Sequence, residues 1–152
     1  MSEYTKHLTP RPELRERIIE TAVEAFSAHG IKSITMDDIA TSLGISKRTL
    51  YEVFSDKETL LEECILKGQR EGEEFLKNVL ATSENVLEVL LKCYQRSIEK
   101  FHATNKKFFE DIKKYPKAYE LMTRRHNQDS EEAVNFFKEG GGGGGCEAGY
   151  FS

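Results

Sequence analysis

The sequence predicts an all-α protein, and three observations support that reading. Only three prolines occur in 152 residues, all outside the long periodic stretches, so little interrupts a helix. Apolar residues recur at three- and four-residue spacing in block after block, the period of a helix with one buried face. The chain has few of the turn clusters that would delimit short alternating strands. With 38% hydrophobic and 32% charged residues and a net charge of −4, the composition is that of a globular chain with one compact core. Apolar bursts such as Val89-Leu90-Leu91 are broken by charges long before the ~20 residues of a membrane span. Met1 to Pro10 lacks the apolar segment of a secretory signal, and the three cysteines Cys64, Cys93 and Cys146 cannot all pair within one chain. A reducing, cytoplasmic setting with no membrane partner is expected.

The elements follow in order. From Pro12 to His29, Leu14, Ile18, Ile19, Ala22, Val23, Ala25 and Phe26 form an apolar face opposite Arg15, Glu16, Glu20 and Glu24. Pro12 suits the first turn and Gly30 the position just past the end. Thr35 then reads as an N-cap whose hydroxyl accepts from the N–H three residues on, with Asp37 and Asp38 at the positive end of a second helix. Its stripe is Met36, Ile39, Ala40 and Leu43, and Gly44 ends it. Ser46 reads as the N-cap of a third helix, Lys47 to Phe54, in which Leu50 and Phe54 share one side.

Ser55-Asp56-Lys57-Glu58 fits a reciprocal capping box with Ser55 as the cap, opening a long fourth helix through Leu60, Leu61, Cys64, Ile65, Phe75, Leu76, Val79 and Leu80. Gly68 and Gly72 on that face each cost roughly 1 kcal/mol against alanine, so close packing of another helix, or a bend, is the expected compensation. From about Asn85 to Ala103, one stripe of Leu87, Leu90, Leu91, Tyr94, Ile98 and Phe101 and a second of Val86, Val89 and Cys93 predict a helix buried on two sides. Phe108, Phe109 and Ile112 fit a short helix that stops before Tyr115-Pro116. A last helix begins near Lys117 and carries Tyr119, Leu121, Met122, Ala133, Val134, Phe136 and Phe137 around a polar centre from Thr123 to Glu132. Gly140 to Gly145 is a run of six glycines, which cannot hold a helix. The domain reading is 1–56 for a three-helix head, 57–139 for a helical regulatory and ligand-binding domain, and 140–152 for a glycine-rich remnant.

Two short helices joined by a glycine turn, with small Ala40 four positions before Gly44, form the pattern of a helix-turn-helix. If Leu50 and Phe54 hold the third helix down, Lys47, Arg48, Thr49 and Tyr51 are left outward, where their donors suit phosphates and base edges. Lys57, beside the free N–H groups that open the fourth helix, is placed for a further phosphate. Neither half of the chain is basic overall. Residues 1–63 carry eight Lys and Arg against twelve Asp and Glu, and 64–152 carry fourteen of each, so any contact with DNA must come from a local cluster. Glu52, Glu58, Glu62 and Glu63 read as surface charges that offset this cluster and repel misdocked DNA.

The run Ile18 to Phe26, then Gly30, Thr35, Ile39, Ala40 and Gly44, and above all Gly44-Ile45-Ser46-Lys47-Arg48-Thr49-Leu50-Tyr51-Glu52-Val53-Phe54 with Lys57-Glu58-Thr59-Leu60-Leu61, resembles the DNA-binding domain of the tetracycline-repressor (TetR) family over about residues 12–65. The resemblance implies an all-helical bacterial repressor that binds a palindromic operator in double-stranded DNA as a homodimer, close to the nucleoid, and is released by a small-molecule effector held in the C-terminal domain. It assigns recognition to Lys47, Arg48, Thr49 and Tyr51 and phosphate positioning to Thr35 and Lys57. Arg48 departs from the small residue often found there, adding a base or phosphate contact. The family continues for two further helices that make most of the dimer interface, so the C-terminal domain reads as truncated.

Tyr94, Phe101, His102, Phe108, Tyr119, Met122, His126 and Phe137 are candidates to line an effector cavity between helices. The four histidines are scattered and no Cys-x-x-Cys occurs, so no metal and no cofactor are expected. No catalytic constellation is present, and an enzyme is not expected. The alternative class is a helical co-regulator that uses the same head to hold protein without touching DNA.

Overall fold

A computed structural model of the chain describes residues 11–139, apart from the side chains at 125–130, 132–134 and 136–137. Seven helices follow one another among the described residues: α1 Arg11–His29, α2 Met36–Leu43, α3 Lys47–Val53, α4 Lys57–Thr82, α5 Val86–Ala103, α6 Lys106–Ile112 and α7 Pro116–Lys138. The predicted all-α class and the order of the helices are those observed.

The apolar face of α1 is the centre of the head. Leu14, Ile18, Ile19, Ala22 and Phe26 are buried. They meet Met36, Ile39 and Ala40 of α2, Leu50 of α3, Phe54 just after it, and Leu60, Leu61 and Cys64 of α4. Ile112 of α6 and Ala118 of α7 belong to the same cluster, so one continuous core runs from the head into the helices behind it. Each large side chain here contributes about 1.5–3 kcal/mol relative to exposure, which is what makes helices as short as α2 and α3 stable at all.

The loop between α1 and α2 is fixed from behind. Gly30 has φ +84°, a left-handed conformation that ends α1, and a Cβ there would lie 2.8 Å from Lys107 Cβ and 3.0 Å from Asp111 Oδ2 of α6. Asp111 Oδ2 accepts from the N–H of Ile31 at 3.1 Å and of Lys32 at 2.9 Å. Asn105 donates its N–H to Ser27 O at 2.7 Å and its side-chain amide to Ala28 O at 3.1 Å. Behind the head, α4 packs chiefly along α7, where Gln69 Nε2 donates to Leu121 O at 2.9 Å.

Three local expectations need correction. Asp56, not Ser55, caps α4; its carboxylate accepts from Thr59 N at 2.7 Å, and that contact holds the Asp56 pKa below the ordinary aspartate value. Gly68 and Gly72 are not sites of close helix approach. Nothing lies within 4 Å of a Cβ at Gly68, and only Arg96 Nη1 at 3.7 Å nears one at Gly72. Helix α5 is not buried on two sides. Val86, Val89 and Cys93 are half-buried and Arg96 lies 4.9 Å from the Phe75 ring of α4, but Leu87, Leu90, Leu91, Tyr94, Ile98 and Phe101 are exposed. The helix is amphipathic as predicted, but its richer stripe has no covering element among the described residues.

Candidate nucleic-acid interface

The site is built from a turn that glycine makes possible. At the end of α2, Gly44 adopts φ +68°, its N–H donates to Thr41 O at 3.1 Å, and Ile45 N donates to Ala40 O at 3.1 Å. Thr35 opens α2 with a reciprocal cap. Its Oγ1 accepts from Asp38 N at 3.1 Å while its own N–H donates to Asp38 Oδ2 at 2.9 Å, which lowers the Asp38 pKa. Ser46 Oγ accepts from Thr49 N at 3.1 Å and shares a hydroxyl–hydroxyl bond of 2.8 Å with Thr49 Oγ1. Ala40, 3% exposed, keeps the contact face of α2 small, and Leu50 and Phe54 are buried.

With that side of α3 committed to the core, the other side faces solvent. Lys47, Arg48 and Tyr51 are exposed and Thr49 is half-buried. The cations are not bare. Lys47 Nζ lies 2.7 Å from Asp37 Oδ2 on α2, and this hydrogen bond raises the Lys47 pKa. Arg48 Nε lies 3.4 Å from Glu52 Oε1 one turn on, and Arg11 Nη2 lies 3.4 Å from Glu52 Oε2. Asp37 and Arg11 were not singled out as members of the site by sequence reasoning. The pairing of Arg48 with Glu52 follows from i,i+4 spacing, whereas the other two contacts need the tertiary fold.

Lys57 is turned inward. Its Nζ donates to Ile31 O and Ile34 O, both at 2.9 Å, and lies 5.7 Å from the Tyr115 ring centroid. Two of its three N–H groups thus hold the loop that precedes α2.

The candidate effector-lining residues that the structure describes fall into several settings. Phe101 stacks on Phe109 at 5.5 Å and meets His102 edge-on at 6.2 Å, and Phe109 meets Phe108 at 5.6 Å. Phe108 and Met122 pack against the core, while Tyr94, His102 and Tyr119 are exposed. The side chains of His126 and Phe137 lie outside the described residues. A cleft of about 500 Å³ lies elsewhere, where Glu16 of α1 faces Lys67, Arg70, Glu74 and other charged side chains of α4. Among the described residues no group of His, Cys, Asp and Glu could hold a metal ion, and no helix is long and apolar enough to cross a membrane.

The head that carries this surface has relatives. Residues 18–64 match the family described as bacterial regulatory proteins, tetR family. The biofilm operon icaADBC HTH-type negative transcriptional regulator IcaR of Staphylococcus aureus (strain Newman) is 31% identical over 72 residues, which are 47% of this chain and 37% of IcaR. The match thus spans little more than a third of that relative. Among solved structures, the ketosteroid transcriptional regulator KstR2 of Mycobacterium tuberculosis superimposes with a TM-score of 0.61 at 22% identity, over 83% of this chain and 69% of its own. A TetR-family transcriptional regulator from Marinobacter aquaeolei VT8 gives 0.52 at 24% identity, over 80% and 57%. Residues 18–64 thus carry the sequence pattern of that family's N-terminal domain, and the likeness of fold extends into the helices behind it.

Proposed function

We propose that the protein is a DNA-binding transcriptional repressor that occupies a palindromic operator as a homodimer and is released by a small-molecule effector. One observation carries the reading. Lys47, Arg48 and Tyr51 stand together in solvent on a helix whose opposite side is locked by Leu50 and Phe54. In this reading α3 enters the major groove. Arg48 and Lys47 reach guanine O6 and N7 or a neighbouring phosphate, Thr49 and Tyr51 supply hydroxyl and methyl or ring contacts, and the Thr35 hydroxyl donates to the backbone. A two-fold dimer places its two α3 helices in successive major grooves about 34–36 Å apart. Because α4 runs directly out of the head, an effector that shifts the helices behind it changes that spacing. The negative regulation named for the Staphylococcus relative supports repression over activation.

The test is titration of the chain with duplexes selected from a random-sequence library, at several salt concentrations. Lys47→Ala and Tyr51→Ala should each weaken binding, by about tenfold or more where the lost contact is bidentate to a base. Where a lost contact is to phosphate, the log–log salt slope should become shallower by about 0.9. Unchanged affinity in both variants, or wild-type binding without sequence preference, refutes the reading.

A further inference from the structure

The cations of α3 are held by carboxylates in ion pairs that are themselves open to water. In the Lys47–Asp37 pair the side chains are 64% and 53% exposed, and in the Arg48–Glu52 pair 90% and 44%. Ion pairs so open to water add little to stability. They do stand where phosphate would compete for the same donors. Asp37 reaches across the turn from α2 to Lys47 at 2.7 Å, and Glu52 spends one oxygen on Arg48 of its own helix and the other on Arg11 of α1. Asp56, by contrast, spends its carboxylate on a helix cap.

We propose that Asp37 and Glu52 are specificity-determining residues of the DNA-binding surface, holding Lys47, Arg48 and Arg11 so that sequence-independent contact with phosphate is disfavoured and binding depends on base edges. The inference rests on the DNA-binding reading above and goes beyond it, since it assigns a binding role to acids rather than to the cations. A phosphate that approaches Lys47 also approaches Asp37, and the repulsion cancels part of the gain. Fewer counterions are released from the DNA than the number of basic side chains would suggest, which lowers the generic part of the affinity. A matched site recovers the loss through hydrogen bonds to bases, and a scrambled site does not, so the ratio between the two widens. Both oxygens of Glu52 are engaged within the protein, so it acts as a positioning group rather than as a reader of cytosine.

The experiment compares Asp37→Asn and Glu52→Gln with the wild-type chain, using a duplex selected by the wild type from a random library and a scrambled duplex of equal composition. Each variant should bind the scrambled duplex about threefold or more tightly at low salt, with a salt slope steeper by about 0.9 for each cation freed, while affinity for the selected duplex changes less. The effect of Asp37→Asn should shrink in a Lys47→Gln background to the part that comes from direct repulsion of phosphate by Asp37, a coupling that a role in stability would not predict. Glu24→Gln, which removes an exposed carboxylate of α1, should match the wild type. Selective wild-type binding with unchanged selectivity in both variants overturns this proposal alone. So does an equal effect from Glu24→Gln, which would reduce the role to net charge, or a Glu52→Gln loss confined to one base pair, which would make Glu52 a direct reader. A wild-type chain that shows no sequence preference overturns the DNA-binding reading and this proposal with it.

Discussion

Asp111 makes the most quantitative prediction about how the head is held. Its Oδ2 accepts from Ile31 N at 3.1 Å and from Lys32 N at 2.9 Å, joining α6 to the loop that leads into α2. Hydrogen bonds to a charged acceptor contribute about 1.5–3 kcal/mol net, and a buried donor left without a partner costs about 1–3 kcal/mol. The two amides are not equivalent. Ile31 is fully buried, so Asp111→Ala strands its N–H, whereas Lys32 is exposed and water replaces the lost acceptor. Together the expected loss is about 2–3 kcal/mol, which for a chain of this length lowers Tm by roughly 5–10 °C. Asp111→Asn retains an oxygen in place but not its charge, and should lose about 1 kcal/mol. Urea unfolding of the three proteins gives the differences directly, provided that m is unchanged. Amide exchange at Ile31 and Lys32 should accelerate in Asp111→Ala ahead of the amides of α1. A loss below about 0.5 kcal/mol in Asp111→Ala would show that the loop holds its shape through Gly30 and Lys57 alone, and the argument for a clamp from α6 would fail.

Other consequences are simpler to state. Gly68→Ala should stabilise the protein by about 0.5–1 kcal/mol, since no neighbour lies within 4 Å of the added methyl and the helical penalty of glycine is removed; a lower Tm would reveal a packing role. Burial pushes the Cys64 thiol up to about 12, and its Sγ approaches Ile19 O at 3.8 Å, so alkylation at pH 8 should reach Cys64 only on unfolding; modification of the native protein at that site would contradict the packing. The Asp38 pKa lies below its ordinary 3.8, chiefly through the N–H of Thr35, so the stability this carboxylate adds is present above that value and is lost as pH falls through the lowered one. Asp38→Asn should therefore lower Tm at neutral pH and flatten the decline of Tm below about pH 4; an unchanged acid limb would place the titrating group elsewhere.

Much of this architecture was legible in the sequence because it is written in short-range signals. The helical period of α1, the Thr35 cap and the Gly44 turn each involve residues within four positions of one another, and the structure bears out all three. The exposure of Lys47, Arg48 and Tyr51 followed from placing Leu50 and Phe54 inside. What was not legible depends on partners distant in the chain. The period of α5 identifies an apolar stripe but not what covers it. The sequence near Lys57 advertises free helix N–H groups, but it cannot announce the carbonyls of Ile31 and Ile34, which lie 26 and 23 residues away. The choice of Asp56 over Ser55 as a cap was a contest between adjacent residues that both have the right chemistry, and pattern alone does not decide it. Clustered aromatics likewise predict apolar contact, but among the described residues that contact divides into core packing at Phe108 and Met122 and exposed face at Tyr94 and Phe101, a division that depends on which distant helix lies opposite.

These long-range contacts bear on how the recognition surface is set. Helices α2 and α3 have eight and seven residues, well below the ~12–15 at which an isolated helix becomes even marginal, so neither can fix its own direction. Their direction comes from three sources: the side chains that each buries against α1, the caps at Thr35, Gly44 and Ser46, and the loop 30–34. That loop is itself tied on two sides, by Asp111 of α6 through the N–H groups of Ile31 and Lys32 and by Lys57 of α4 through the carbonyls of Ile31 and Ile34. Ile31 is common to both ties and is also fully buried in the core. A displacement of α6 relative to α4 therefore cannot leave this loop unchanged. It must stretch the bonds to Asp111, stretch those to Lys57, or carry α2 with it. Since α2 and α3 share one core through Ile39, Ala40 and Leu50 and are joined by the tight turn at Gly44, moving α2 also moves the proposed DNA-binding surface.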